Sequence, residues 1–277
     1  MSATVATRQS FVMNEGDQAF YLENGYLLRE SAFSDSECAE IARDCEELLD
    51  RLQAQKPLKA VQSGSHPINL LADLGVTVKW EREFPDQVRG IEPFAHLSPR
   101  LEAWAYDPRL TDPCKFACGA EAVCLFTEKL HTKRARTGGE IEPHQDFPYW
   151  EPFGAQASQI VTAMLYLDRA TRANGCLEVV PGSHRTGLRP MRSDAGGIDA
   201  KRMDPAQFNE SELVALETPP GSVLFFNAFL VHRSGHNRSD NDRRSLLYSY
   251  QPDGLPHARH IRRKPQYPGS ESPGFLD

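Results

Sequence analysis

The chain lacks the cysteine patterns of disulfide-rich and zinc-finger proteins. Its 277 residues include six cysteines, and no two of them form a CxxC pair. The spacing of Cys114, Cys118 and Cys124 is only a weak zinc signal, because no histidine pair follows at the distance found in zinc fingers. We therefore expect free, buried thiols, as in a reducing compartment.

Long apolar runs and a basic stripe are also missing. No run approaches the length of a membrane span, and the first residues, MSATVATRQSF, contain no apolar signal-peptide core. The net charge is −7, whereas nucleic-acid-binding domains are typically basic. We expect a cytoplasmic protein that binds neither membranes nor nucleic acid. Nothing in the sequence specifies an oligomeric state.

Helical patterns are present in the first half of the chain. A loose arm, residues 1–17, precedes a strand-like segment around Leu27. Ser34 and Glu37 then form a capping box, after which apolar residues follow at helical spacing as far as Lys56. A second helical stretch covers roughly residues 98–120. Both helices are expected to pack against a sheet.

Short β-type segments fill the second half, from residue 120 to residue 252. Turn signals such as Asn174-Gly175 and Pro220-Gly221 separate them. Evenly spaced short strands favour a sandwich or barrel. We predict one domain over residues 1–277, mainly β with flanking helices. Residues 57–95, rich in Gly and Pro, are predicted to be irregular, either as a lid over a binding site or as a disordered surface loop.

One polar pair stands out in the segment EIEPHQDFPYW. In an extended backbone His144 and Asp146 would point to the same face, because side chains alternate along a strand. A third ligand is available in His232, at the end of the apolar segment SVLFFNAFLVH, with His236 as a weaker competitor. Two histidines and one carboxylate with open positions form the ligand set of non-heme Fe(II) oxygenases.

An arginine eleven residues after His232 strengthens this interpretation. A turn rich in Gly, Asn, Ser and Asp separates the two, and a hairpin there would return Arg243 to the neighbourhood of His232. A guanidinium near a metal can bind a carboxylate through two hydrogen bonds, and Ser234 could add a hydroxyl. The adjacent Arg244 is interpreted as a solvated turn charge.

Several stretches together resemble the phytanoyl-CoA dioxygenase family of Fe(II)- and 2-oxoglutarate-dependent oxygenases. The stretches are NGYLLRESAFSDSECAEIARDCEEL, KRARTGGEIEPHQD, LYLDRATRANGCLEVVPGSH and GSVLFFNAFLVHRSGHNRSDNDRR, and they cover most of residues 20–252. The combination of HQD, NGCL, PGSH and H-x10-R is more specific than any one of these motifs.

The resemblance implies a double-stranded β-helix, or jelly-roll, with helices outside. It implies that His144, Asp146 and His232 hold Fe(II), with 2-oxoglutarate and O2 as co-substrates. It also implies that Arg243 and Ser234 bind the far carboxylate of 2-oxoglutarate. By position in the family, Lys129, His131 and Met164 should touch the co-substrate as well, although family members often carry a bulkier residue than Met164.

The resemblance further implies a hydroxylase or related oxidase. We expect its substrate to be a small or mid-sized metabolite, as in secondary metabolism, with an acyl-CoA as the alternative. Asp146 argues against a halogenase, because halogenases of this kind carry a small residue there. Phe147, Tyr149 and Trp150 are candidates for substrate binding, with packing at the barrel rim as the alternative. Two other functions stay open: a cupin-like metal-dependent hydrolase or isomerase, and a non-catalytic ligand-binding member of the family.

Overall fold

The computed structural model describes residues 11–54, 61–63, 66–192 and 201–258. Five α-helices lie in these residues: α1 (Glu15–Asn24), α2 (Asp35–Ala54), α3 (Pro99–Trp104), α4 (Pro108–Cys118) and α5 (Phe147–Trp150). Short 3-10 helices occupy parts of the connections, at Ala72–Leu74, Ala95–Leu97, Glu151–Phe153, Ala155–Gln159, Ser183–Thr186, Pro205–Gln207 and Glu210–Glu212. None of the α-helices within the described ranges is long and apolar enough to cross a membrane.

Thirteen strands of the described residues form two antiparallel sheets. They are β1 (Tyr26–Arg29), β2 (Val61–Ser63), β3 (His66–Leu71), β4 (Val76–Trp80), β5 (Val88–Glu92), β6 (Val123–Lys133), β7 (Ile141–His144), β8 (Val161–Tyr166), β9 (Leu177–Val179), β10 (Val214–Ala215), β11 (Val223–Asn227), β12 (His232–Ser234) and β13 (Arg243–Pro252). The large sheet has the order β1-β11-β8-β13-β6-β5-β4-β3-β2, and the small sheet has the order β10-β9-β12-β7. The prediction of a mainly β, double-stranded β-helix fold with flanking helices is confirmed.

The central strands of the large sheet are buried on both faces. Along β11, Val223 and Phe225 belong to the cluster beneath the helices, whereas Leu224 and Phe226 belong to a second cluster between the sheets. This division follows from the alternation of side chains along a strand. Because both faces of these strands are buried, their sequences are continuously apolar and do not alternate between apolar and polar residues.

Helix α2 packs against the outer face of the large sheet, as its apolar spacing predicts. Cys38, Ile41, Cys45 and Leu48 are buried in the same cluster as Phe225. The predicted capping box is present: the amide of Ser34 donates to the Glu37 carboxylate at 2.8 Å, and the amide of Glu37 donates to the Ser34 hydroxyl at 3.3 Å.

The prediction of an irregular segment over residues 57–95 is wrong where the structure describes it. Strands β3, β4 and β5 extend the large sheet there, with β5 pairing to β6. Gly75, with φ of +62°, and Pro85 lie at turns between strands, whereas Pro67 and Gly90 lie within β3 and β5, so these residues do not prevent strand formation. Residues 55–60 and 64–65 lie outside the described ranges, and the lid role stays a prediction.

The predicted arm ends earlier than expected. Helix α1 begins at Glu15, and Asn14 caps it in a box with Asp17. Met13 is buried against the main core. Residues 1–10 of the predicted arm lie outside the described part of the chain.

Candidate metal centre and its cavity

Three potential ligands converge between the two sheets. His144 ends β7 and His232 begins β12, and the two residues are direct partners in the small sheet. Their ring centroids are 4.2 Å apart. The Oδ1 atom of Asp146 lies 3.7 Å from Nε2 of His144, and one ligand atom from each of the three residues lies within 4.8 Å of the others. These distances suit one metal ion bound by two imidazoles and a carboxylate.

Hydrogen bonds orient both imidazole rings. Nδ1 of His144 lies 2.9 Å from the carbonyl oxygen of Glu142, and Nδ1 of His232 lies 2.9 Å from that of Leu230. A ring that donates from Nδ1 keeps the lone pair on Nε2 for a metal. Burial and, to a lesser extent, the neighbouring His232 lower the pKa of His144 to about 3. The neutral form required of a ligand is therefore the stable one at neutral pH.

The backbone achieves this geometry differently from the prediction. Asp146 was expected to continue the strand, but it has φ of −76° and ψ of −27° and immediately precedes α5. A helical turn at the end of β7, rather than strand alternation, brings its carboxylate back towards His144. The three residues therefore meet as expected, although the reason given from the sequence was wrong for Asp146.

Arg243 and Ser234 lie on opposite sheets. Ser234 ends β12 in the small sheet, while Arg243 begins β13 in the large sheet. The predicted hairpin is therefore wrong, and the intervening turn instead carries the chain from one sheet to the other. Arg244 is also not a solvated turn charge, because its guanidinium forms two hydrogen bonds with the carboxylate of Asp168, at 2.9 and 2.8 Å.

Polar atoms without partners collect around Arg243. Its side chain is 1% exposed, and its Nε and Nη1 atoms have no hydrogen-bond partner among the described residues. The hydroxyl of Ser234 and that of Tyr166 likewise lack one there. Burial lowers the pKa of Arg243. A buried guanidinium without a carboxylate is costly, so this end of the cavity has the chemistry of a site for an anionic ligand.

A cavity of about 200 Å³ joins the two sets of residues. Five further predicted residues line it along with the three potential ligands, Ser234 and Arg243: Lys129, His131, Met164, Tyr149 and Trp150. Phe147 is not among the lining residues and stacks on Phe229, with ring centroids 4.3 Å apart. The packing alternative therefore describes the position of Phe147, whereas Tyr149 and Trp150 face the cavity.

Sequence reasoning missed part of the cavity wall. Strands β4 and β5 contribute Lys79, Arg89 and Glu92, and β6 contributes Lys133. Lys79 lies within residues 57–95, which were predicted to be either a lid or a disordered surface loop. Three glycine-containing segments, residues 137–139, 174–176 and 234–236, surround Lys133 in the structure. Their glycines could have indicated from the sequence that a side chain packs closely between these segments.

Other candidate ligands lie outside the cluster. His236 is 44% exposed and lies 3.9 Å from the carboxylate of Glu140. All six cysteines are free, and no group of three potential ligands in the described ranges includes one. The weak zinc spacing of Cys114, Cys118 and Cys124 thus corresponds to no metal-binding cluster in the described residues.

The sequence matches the family model "Phytanoyl-CoA dioxygenase (PhyH)" over residues 21–245. Among curated proteins, the chain is similar to "Phytanoyl-CoA dioxygenase" of Arabidopsis thaliana, with 25% identity over 261 residues that cover 87% of this chain and 89% of that protein.

Among solved structures, EctD from S. alaskensis with bound Fe is 23% identical and superposes with a TM-score of 0.68, covering 95% of this chain and 85% of that one. The structure of EctD with 2-oxoglutarate and 5-hydroxyectoine has a TM-score of 0.67 at 23% identity, covering 90% of this chain and 79% of that one. At this identity the likeness concerns the fold, and it agrees with the double-stranded β-helix described above.

Proposed function

Because the chain belongs to the phytanoyl-CoA dioxygenase family of oxidoreductases, we propose that it is a Fe(II)- and 2-oxoglutarate-dependent oxygenase of a small or mid-sized organic metabolite. The observation that carries the proposal is the pairing of the His144, Asp146 and His232 cluster with the unpaired guanidinium of Arg243 in one cavity. One set of residues fits a ferrous ion, and the other fits the far carboxylate of a 2-oxo diacid.

The residues present fit both groups. Two neutral imidazoles and one carboxylate form the facial ligand set of non-heme Fe(II) oxygenases. The Nε and Nη1 atoms of Arg243 and the hydroxyl of Ser234 are buried donors with no partner within the described residues, as a site for a carboxylate requires. The solved EctD structures hold Fe in one case and 2-oxoglutarate in another, which is consistent with the same pair of groups here.

Bound iron and 2-oxoglutarate would together supply O2 activation, coupled to decarboxylation of 2-oxoglutarate to succinate. The chain itself would supply binding and orientation. His144, Asp146 and His232 would hold the metal. Their burial would exclude bulk water from the reacting atoms.

The outcome we propose is hydroxylation, desaturation or a related oxidation of the substrate. Asp146 supports this, because a carboxylate ligand occupies the position that a halogenase leaves open for halide. Tyr149 and Trp150 would form one wall of the substrate site, as both line the cavity. The side chains of Lys129, His131 and Met164 also line it, and we propose that they contact the co-substrate or its immediate surroundings.

A metal-dependent hydrolase or isomerase with the same three ligands is less well supported. Such an enzyme has no need of a second carboxylate site, and the buried Arg243 would then stay without a partner. A non-catalytic binding protein is disfavoured as well, because the three potential ligands are all present and close together.

The direct test is a substrate panel analysed by mass spectrometry, with Fe(II), ascorbate, O2 and 2-oxoglutarate. We expect succinate together with a product that gains one oxygen or loses two hydrogens. Omission of 2-oxoglutarate is the matched control and should remove both signals. Metal-dependent turnover of a panel member that needs neither O2 nor 2-oxoglutarate would contradict the proposal and favour the hydrolase or isomerase.

A further inference from the structure

Two lysines share one carboxylate on the cavity wall that strands β4, β5 and β6 form. The ammonium of Lys79 donates to Oε2 of Glu92 at 2.8 Å, whereas Nζ of Lys129 lies 3.8 Å from Oε1 of the same carboxylate. The longer distance exceeds that of a hydrogen bond. All three side chains line the cavity and are partly exposed. This lysine cluster, made up of Lys79, Glu92 and Lys129, therefore presents one excess positive charge to the cavity.

Neighbouring cations that line the cavity each pair with a carboxylate. Arg89 pairs with Glu81 at 3.0 Å, and Arg202 pairs with Glu142. Lys129 differs from them, because no carboxylate of the described residues lies within hydrogen-bonding distance of its ammonium. Its N–H groups are therefore donors that a ligand can use.

Lys129 lies far from Arg243 along β6. In the β6–β13 ladder Arg243 pairs with Lys133, whereas Lys129 pairs with Leu247. Four residues separate Lys129 from Lys133, which at about 3.3 Å per residue places their Cα atoms roughly 13 Å apart. The two ends of the cavity thus offer separate cationic groups to ligands.

An aromatic wall connects Lys129 with the metal cluster. Nζ of Lys129 lies 5.9 Å from the centroid of the Trp150 ring, and Phe126 packs edge-on against that ring with centroids 5.9 Å apart. The adjacent Tyr149 packs edge-on against His144, with ring centroids 6.0 Å apart. A ligand whose anionic group lies at Lys129 can therefore extend along the two rings towards the metal cluster.

We propose that the substrate is an organic acid whose carboxylate binds Lys129 and whose apolar body packs along Tyr149 and Trp150. The inference rests on the proposed function. Its physical basis is charge complementarity, because the carboxylate neutralises the excess positive charge and accepts hydrogen bonds from the Lys129 ammonium. Lys79 holds Glu92 by a hydrogen bond, so the carboxylate of the protein does not take the place of the carboxylate of the substrate.

The test is calorimetric titration of the oxygen-free Fe(II) protein, saturated with 2-oxoglutarate, with carboxylic acids and their primary amides. The panel consists of straight-chain, branched and aryl acids, and each amide has nearly the shape of its acid but no charge. Saturation with 2-oxoglutarate keeps the probe acids away from Arg243. We expect at least one acid to bind about 10-fold or more tightly than its amide, as a hydrogen bond between charged groups implies.

Substitutions show whether the lysine cluster causes this preference for the acid. Lys129→Met should abolish the preference, whereas Lys129→Arg keeps the charge and should retain most of it. Glu92→Gln should increase the preference about 2- to 5-fold, because a competing carboxylate is lost. Lys115→Met is the matched control and should leave the preference unchanged, because Lys115 lies on α4 and pairs with Asp112. A general disturbance of the cavity would not produce opposite changes at Lys129 and Glu92.

The outcomes separate this inference from the proposed function. If 2-oxoglutarate does not bind to the Fe(II) protein, the proposed function fails and the inference fails with it. If 2-oxoglutarate binds but no acid binds more tightly than its amide, or if the preference persists in Lys129→Met, only the inference is overturned. Loss of 2-oxoglutarate binding in Lys129→Met would assign this lysine to the co-substrate and would also overturn the inference.

Discussion

Arg243 and Arg244 are neighbours in the sequence, but they lie on opposite faces of the large sheet and differ in whether a carboxylate neutralises them. Arg243 points into the cavity, is 1% exposed and has donor atoms without partners in the described residues. Arg244 points to the outer face, where Asp168 and Glu46 accept all the hydrogen bonds found for its guanidinium. Both are buried enough to need a counter-charge. Within the described residues, Arg244 has hydrogen-bonded carboxylates, whereas Arg243 has none.

Arg244 is paired within the protein and stabilises the fold, whereas Arg243 has donor atoms available to bind a ligand. On the outer face, carboxylates neutralise two arginines: Asp168 and Glu46 pair with Arg244, and Glu37 and Asp107 pair with Arg109. On the inner face, the buried charge of Arg243 without a carboxylate partner lowers the free energy of unfolding. Substitutions on the inner face should therefore change ligand binding, and those on the outer face should change stability.

The largest effect is expected at the metal cluster. Asp146→Ala removes the only carboxylate of the three-residue cluster, so it should lower iron content and reduce succinate formation by more than about 100-fold, since even outer partners of metal ligands change affinity 10–100-fold. Iron content after gel filtration and succinate formation measure this. Thermal unfolding without metal serves as the folding control. Activity close to that of the wild type would contradict the assignment of Asp146.

Arg243→Met should have the next largest effect. Loss of the guanidinium should raise the KM for 2-oxoglutarate by about 10- to 100-fold, because hydrogen bonds to a charged group contribute about 1.5–3 kcal/mol. Stability without ligand should not fall, because a buried charge without a carboxylate partner is removed. Steady-state kinetics and urea unfolding of the same variant test both parts. An unchanged KM combined with a marked loss of stability would assign Arg243 to the fold instead.

Arg244→Met is the matched variant on the outer face. It should lower the free energy of unfolding by about 1–3 kcal/mol, since it leaves the Asp168 carboxylate without its guanidinium partner, whereas Glu46 keeps its hydrogen bonds from Arg134. The KM for 2-oxoglutarate should stay within about twofold of the wild type, because the side chain faces away from the cavity. If the two arginine variants gave the same pattern of effects, the distinction between the two faces would be wrong.

The sequence was sufficient for much of the fold and for the residues that form the cluster. Apolar spacing and the capping box located α2. The short, evenly spaced β segments favoured a sandwich or barrel, and the resemblance to the family implied the double-stranded β-helix. His144, Asp146 and His232 were identified by residue type and order. Their convergence is visible only in the structure, since it depends on a helical turn at Asp146.

What the sequence could not provide depends on pairing between distant segments. Strands β3, β4 and β5 were missed because their glycines and prolines suggested a loop, whereas pairing of β5 with β6 organises them. The same pairing brings Lys79 and Arg89 to the cavity. The H-x10-R spacing singled out Arg243 from its neighbour Arg244, but the ion pair of Arg244 with Asp168 on the opposite face of the sheet is visible only in the structure.

The smallest expected effect concerns an outer-face ion pair and its pH dependence. Hydrogen bonding to Arg109 lowers the pKa of Glu37 to about 2 from its ordinary value near 4.5. A carboxyl with a lowered pKa stabilises the fold above the ordinary value, and this contribution is lost as the pH falls from about 4.5 to about 2. Glu37→Gln should therefore cost about 1 kcal/mol at pH 7, because the pair is partly exposed and solvent screens it.

The same variant should differ less from the wild type as the pH falls, because the wild-type protein loses its ion pair there. Glutamine can still accept the capping-box hydrogen bond from Ser34, so the substitution mainly tests the charge. Urea unfolding at several pH values between 2 and 7 measures the difference. A difference in the free energy of unfolding that stays constant over this range would mean that packing or capping, rather than the ionised pair with Arg109, accounts for the contribution of Glu37.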